Sequence, residues 1–275
     1  MMNVHNYQEL FVRDITLTGT FGDKEVRLCQ CVPYVSQGIQ VILLHGVHSS
    51  ANFTLHNKFR RLAELLAGNG CTSWLVETSR KVRNRHEYSD NVTDWIKNAF
   101  GGKTFAQEQE DVFVALRHIL KETKGLPHWL WGFSLGGIIA LSAASGNLFD
   151  SSDNSRIFDM LILSGTGLES YKRVEDYMMT LPILSTLRST LCADMVSRVA
   201  ASRFISFRGS CDEIFSEDSC RSLVDSVPID KERKKFIPIE GADHSLRCRY
   251  GHSDPEIMKE MVACTVNFAS DRVIE

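Results

Sequence analysis

A serine hydroxyl is a poor nucleophile until three partners meet it. It needs a base within hydrogen-bond reach, a group that orients the base, and N–H donors aimed at the oxyanion forming on the attacked carbonyl. Residues 128–144, HWLWGFSLGGIIALSAA, supply such a serine. A short apolar run, 128–131, meets Gly132-Phe133-Ser134-Leu135-Gly136, and a small-residue apolar run of helical character follows. This is the pattern of a nucleophile elbow, a serine on a tight strand-to-helix turn with small neighbours that let the backbones approach. The pentapeptide alone recurs by chance. Its place between strand and helix, and the partners found elsewhere, give it content.

Three further segments end in chemistry-bearing residues. Leu44-His45-Gly46-Val47 closes an apolar strand where the chain turns outward. A glycine there lets the Val47 N–H face the nucleophile, and with the Leu135 N–H it would form a two-donor oxyanion hole. His45 reads as a hydrogen-bonded scaffold residue rather than a base. Phe207–Glu213 (FRGSCDE) is a strand, a small-residue turn and an acid; Pro238–Ser245 (PIEGADHS) is a strand, a turn and a histidine. Serine, then acid, then histidine, each just past a strand end, gathers at the carboxyl edge of a parallel sheet, where sites of open α/β sheets lie. Glu213 competes with Asp212, and Asp243 stands beside His244, but the turn placement favours Asp212. Asp159 begins its strand and falls at the wrong edge. His252 is the one nearby alternative base and lacks a preceding strand.

The elements that must position these groups follow from periodicity. Residues 10–18 and 25–32 read as two strands joined by the turn Gly19–Lys24, an antiparallel start. Residues 39–46 form a near-continuous apolar strand of the kind buried on both faces. Strands at 71–77, 157–163, 203–207 and 235–239 alternate with helices at 52–70, 105–123, 217–227 and 255–269. That alternation predicts a mostly parallel sheet with helices on both faces. Residues 165–200 break the rhythm, being longer than one crossover helix, and carry Tyr177, Met178, Met179, Leu181, Ile183 and Leu184. We read them as a small helical cap rather than two ordinary packing helices. Three parts result: core 1–164, cap 165–200 and core 201–275, with Met178, Met179 and Leu184 as substrate-contacting residues.

Length and charge narrow the function classes. The 275 residues suit one large α/β domain, or one with an inserted cap, and the net charge of -3 gives no global attraction to nucleic acid or an anionic membrane. The first residues lack the basic start and apolar core of a signal peptide, and no apolar run reaches a bilayer span. The expectation is a cytoplasmic protein whose eight cysteines are reduced. Cys29-x-Cys31 has no second pair at zinc spacing, and His45-x-x-His48 is equally bare, so no metal site is expected. Ser79–His86 (SRKVRNRH) is a basic loop following a strand. Its arginines suit an anionic substrate group, but the plainer reading, which we take, is a solvated loop.

Through these residues the chain resembles the α/β-hydrolase superfamily from its first strand to its last helix. It is most similar to the capped esterase, lipase and serine-peptidase-like members. The resemblance is carried by HG at 45–46, GFSLGG at 132–137, GSCDEIF at 209–215 and GADHS at 241–245. Val47-His48-Ser49-Ser50 departs from the glycine-richer sequence often found after HG. The resemblance implies a mostly parallel twisted sheet flanked by helices with a small cap, and Ser134 as nucleophile, Asp212 as acid and His244 as base. It implies a serine hydrolase of a carboxylic ester of small to medium size that needs no cofactor. Thioesterases, acyltransferases and carbon–carbon hydrolases share the triad, and a ligand-binding protein without catalysis is the alternative of another class. A serine nucleophile argues against the aspartate-using dehalogenase and epoxide-hydrolase branches.

Overall fold

The centre of the sheet is made by two short runs without an exposed side chain, Gln40–Leu44 (β3) and His128–Phe133 (β5). Strands buried on both faces read as near-continuous apolar runs, and past their first residues, Gln40 and His128, these two do. The computed structural model describes residues 10–84, 91–149, 157–170, 181–188, 191–251 and 253–271. Around the central pair stand Phe11–Thr18 (β1), Glu25–Val32 (β2), Thr72–Glu77 (β4), Phe158–Ser164 (β6), Ala201–Gly209 (β7) and Lys234–Ile239 (β8). Their order is β1-β2-β4-β3-β5-β6-β7-β8. The β1–β2 and β2–β4 pairs are antiparallel and the others parallel. Every strand expected from the sequence is present, with ends shifted by two residues at most.

Two helical layers cover the sheet. On one face Lys58–Ala67 (α1) and the terminal Asp254–Ser270 (α8) bury Phe59, Leu62 and Leu66 together with Ile257, Met261 and Phe268. On the other, Phe105–Glu122 (α3) and the elbow helix Leu135–Ser142 (α4) form the larger core with Glu217–Ser226 (α7). The starts are set by caps. Asn57 accepts from the Phe59 N–H, so α1 begins at 58 rather than in the low fifties as expected. Thr104 with Gln107 and Ser253 with Glu256 are capping boxes.

One helix had no counterpart in the sequence reading. Val92–Phe100 (α2), capped by Asn91, buries Trp95, Ala99 and Phe100. Within 165–200 the described helices are Pro182–Ser185 (α5) and Leu191–Val196 (α6). Ile183, which the sequence suggested was exposed, is fully buried in the larger core beside Met195 and Val199, while Leu184 packs half-buried against it. Tyr177, Met178 and Met179 lie outside the described residues, as does His252. All eight cysteines are free thiols. No described helix is long and apolar enough to cross a membrane.

Candidate active site

The end of β5 explains the elbow. Ser134 has φ 51° and ψ -116°, a conformation costly for a residue with a side chain, so its neighbours must hold it there. Its N–H donates to the Ser164 carbonyl at 2.8 Å, and its own carbonyl receives Gly137 N–H at 2.8 Å and the Thr166 hydroxyl at 3.1 Å. Close approach does the rest: a Cβ on Gly136 would lie 2.5 Å from the His45 carbonyl oxygen, and one on Gly132 would run into Gly136. Both positions require glycine for the space alone.

Ser134 Oγ lies 2.9 Å from His244 Nε2, and His244 Nδ1 lies 3.1 and 3.0 Å from the two Asp212 carboxylate oxygens. Three residues from strand ends far apart in the chain thus form one hydrogen-bonded line. Asp212 is buried, and its Oδ1 also accepts from the N–H groups of Ile214 at 2.8 Å and Phe215 at 3.1 Å. The turn carrying the acid is clamped by Arg208, whose guanidinium donates to the carbonyls of Phe215 and Asp212 at 2.9 and 3.0 Å. His244 rests against the backbone of Gly165, where φ is +62° and a Cβ would come 3.2 Å from the ring. Arg208, Thr166 and Gly165 were not singled out in the sequence; Gly165, just past the end of β6, was the one with a readable signal.

The competing residues fall away. Glu213 is exposed, and Asp243 Oδ1 is committed to the N–H groups of Ser245 and Arg247. Asp159 accepts from the His128 N–H at the opposite edge of the sheet.

On the other flank of Ser134 runs the loop after β3. Gly46 lies against the nucleophile, a Cβ there standing 3.3 Å from the Ser134 Cβ. His45 Nδ1 contacts the Gly46 carbonyl at 2.8 Å. A carbonyl only accepts, so Nδ1 carries the proton and Nε2 is the acceptor, facing Thr78 Oγ1 and Arg80 Nη2, each at 3.4 Å. Burial and then the Arg80 charge oppose protonation of His45, against the pull of Glu108, and its pKa lies below the usual histidine value. The peptide joining Gly46 to Val47 is planar and trans, so pinning the Gly46 carbonyl also fixes the direction of the Val47 N–H. Leu135 N–H is the first of α4, among those without an intrahelical acceptor.

Two arginines of the basic loop are not solvated as read from the sequence, whereas Lys81 is exposed. Arg80 is fully buried, with its guanidinium 4.9 Å from the Phe100 ring centroid and 3.8 Å from Glu77. Arg83 pairs with Asp23 at 2.6 Å and Glu77 at 2.8 Å. Burial alone would raise the Glu77 carboxyl, and Arg80 with Arg83 reverses this to hold it below the usual range. Behind them Lys103, also buried, pairs with Glu108 at 2.5 Å and Asp111 at 2.8 Å. Both carboxyls are likewise held low against the effect of burial. Arg85 and His86 lie outside the described residues.

The fold these residues stand on is the α/β-hydrolase fold. No family model matches the chain, and no curated protein matches it either. Among solved structures it is similar to an α/β serine hydrolase without lid from Xanthomonas campestris, 15% identical, over 93% of this chain and 94% of that one, with a TM-score of 0.60. A cold-adapted esterase from an Arctic intertidal metagenomic library is 17% identical over 94% of each chain, also at 0.60. A soluble variant of monoglyceride lipase from Saccharomyces cerevisiae, in complex with a substrate analog, is 14% identical over 98% of this chain and 99% of that one, at 0.66.

Proposed function

We propose that the chain is a serine hydrolase that cleaves a small carboxylic ester through an acyl-enzyme on Ser134. The observation that carries this is the line Ser134–His244–Asp212, with contacts of 2.9 Å and 3.0–3.1 Å at one edge of the sheet. The serine hydrolases, esterases and lipase of like fold support the hydrolase class.

In this reading His244 Nε2 takes the Ser134 proton as Oγ attacks the ester carbonyl, then gives it to the departing alcohol. Asp212 holds His244 with its Nδ1 proton inward and stabilises the imidazolium, without becoming protonated itself. The N–H groups of Val47 and Leu135 receive the oxyanion. Water, activated by the same histidine, then releases the acid and restores Ser134. The segment 165–200 leaves the sheet at Gly165, beside the His244 ring, and we assign it the cover of the site. We keep Met178, Met179 and Leu184 as its substrate-contacting residues, in the stretch that separates core parts 1–164 and 201–275 along the sequence. No step needs a metal or cofactor.

A fluorophosphonate probe should label the protein on Ser134, and Ser134→Ala should lose labelling and roughly 10⁶-fold in kcat on nitrophenyl esters. Near-wild-type hydrolysis by Ser134→Ala would overturn the assignment. A folded wild type that neither labels nor turns over any ester in an acyl-length series would return the chain to the ligand-binding alternative.

A further inference from the structure

Lys58, the first residue of α1, stands near both the strand of the nucleophile and the turn of the base. Its ammonium lies 4.7 Å from the ring centroid of Phe133, the residue before Ser134, and 5.3 Å from that of Phe59. One peptide unit, about 3.8 Å between Cα atoms, separates Phe133 from the nucleophile, so the ammonium and Ser134 fall within the span of one small molecule. The turn 243–247, which holds His244, is within electrostatic reach, since Arg247 disfavours the charge on Lys58 and Asp243 favours it. Ser134, His244 and Lys58 are each partly exposed and Arg247 is exposed, so a solute can meet them from solvent.

Charge decides what kind of solute fits. Among the described residues neither Lys58 nor Arg247 has a carboxylate in ion-pair contact, while the charges around them are spent on one another. Arg60 pairs with Glu64 at 2.8 Å, and Asp243 is taken by Arg249 at 3.2 Å and by the N–H groups of Ser245 and Arg247. His244, the remaining titratable group of the turn, faces Asp212 through its Nδ1. Lys58 is thus a cation without a counterion, beside a like charge and in the first turn of a helix, where the dipole disfavours it. An incoming carboxylate relieves that repulsion and accepts a charge-assisted hydrogen bond from the ammonium. A neutral oxygen relieves nothing, and a cation adds to the repulsion.

We propose that Lys58, together with Arg247, recognises a carboxylate on the substrate, and that the preferred ester carries this free carboxylate in its acyl or its alcohol part. This rests on the reading of Ser134 as nucleophile and adds the substrate class to it. The flexible stem of lysine lets the ammonium leave the rings of Phe133 and Phe59 for the incoming anion. The ammonium must be charged to act. Burial and Arg247 bring its pKa down to about 8, which ties the preference to pH.

Esters matched with their carboxamide twins test this. One pair is monoethyl glutarate against ethyl 4-carbamoylbutanoate, placing the charge in the acyl part. The other is 4-acetoxybutanoate against 4-acetoxybutanamide, placing it in the alcohol. Wild type should favour the carboxylate member of at least one pair by about tenfold in kcat/KM at neutral pH, the scale of one charge-assisted hydrogen bond. That ratio should fall as pH rises through about 8, where Lys58 of the free enzyme loses its proton. The titration of His244 is common to both twins and cancels. Lys58→Met should bring the ratio close to one, and Arg247→Gln should lower it. Lys58→Arg should keep the ratio and remove its fall with pH, because the guanidinium stays charged. A merely structural lysine would move none of these ratios. Equal turnover of both twins by wild type, with hydrolysis still dependent on Ser134, overturns the carboxylate recognition alone. A preference unchanged by Lys58→Met also overturns it. Hydrolysis unaffected by Ser134→Ala, or none at all, removes the reading beneath it as well.

Discussion

On one side of Ser134, His244 and Asp212 are held by short turns, with Arg208 of β7 clasping the turn of the acid. The Asp212 carboxylate accepts two N–H groups of its own turn, and Gly165 leaves room for the His244 ring. On the other side, the loop carrying Gly46 and Val47 rests on side chains brought from afar. Arg83 meets Asp23 across 60 positions, and Thr20 meets Asp111 across 91. The first flank has few ways to be assembled, since short turns dictate it. The second is a charged cluster in which each member is tolerable only while its partners stay. Damage to the first flank should therefore appear in chemistry, and damage to the second in stability.

Asp212→Asn is the sharpest probe of the first flank. Asparagine keeps an oxygen for the Ile214 and Phe215 N–H groups but forces the wrong tautomer on His244. The expected result is a loss of about 10⁴ in kcat with the thermal midpoint nearly unchanged. A large drop in midpoint, measured by circular dichroism, would show that this flank is as load-dependent as the other. Lys103→Met is the counterpart. It leaves Glu108 and Asp111 buried without the ammonium they share and should cost about 3–5 kcal/mol in denaturant unfolding. A cost below about 1 kcal/mol, the level of an exposed pair, would erase the contrast.

The same contrast divides what was legible in the sequence. Ser134, Asp212 and His244 each follow an apolar run and stand among glycines or small turn residues, so local pattern exposed them. Arg80 and Arg83 looked like solvated charges because Phe100, which covers Arg80, and Asp23, which pairs with Arg83, lie in other elements. Only the fold brings Glu108, on a helix whose pattern was plain, beneath a loop whose pattern was not. Helix α2 escaped for a related reason. It has nine residues, and Trp95, Ala99 and Phe100 give too short a stripe to stand out. The strands were readable because period and burial coincide in them, whereas the packing of Ile183 into the core depends on α3 and α4.

Acid pH should separate the flanks further. Burial pushes the His48 pKa down to about 4, and lowers His45 and His128 as well. The unfolded chain, with ordinary histidines near 6.5, then binds more protons than the folded one. Stability should be complete above that value and fall as pH drops through the window down to about 4. His48→Asn, which suits the φ of 54° at this position, should remove on the order of 2 kcal/mol of that loss at pH 4. A wild type and a variant with parallel stability curves between pH 6.5 and 4 would mean that His48 titrates normally.

The smallest effect is expected at Lys58, beside the Phe133 ring. Its ammonium sits 4.7 Å from the Phe133 ring centroid and 5.3 Å from that of Phe59, half-buried. It opens α1, where the helix dipole disfavours a cation, and no acid occupies that first turn. Burial first and Arg247 second lower its pKa to about 8, with Asp243 acting the other way. The ring contacts favour the cation by about 0.5–2 kcal/mol, so two opposed contributions compete here. The lowered value means that burial and like charge prevail, and the folded state is penalised while the amine is charged. Lys58→Met should therefore stabilise the protein at neutral pH by about 1 kcal/mol, keeping the stem's packing and losing the charge. The sign of the pH dependence follows. Wild type recovers as pH rises from about 8 toward 10.5, because the folded amine deprotonates before the unfolded one, so the advantage of the variant should shrink over that range. Destabilisation by Lys58→Met at pH 7 would reverse the balance and make the two rings a cation site that belongs to the stable scaffold of the nucleophile.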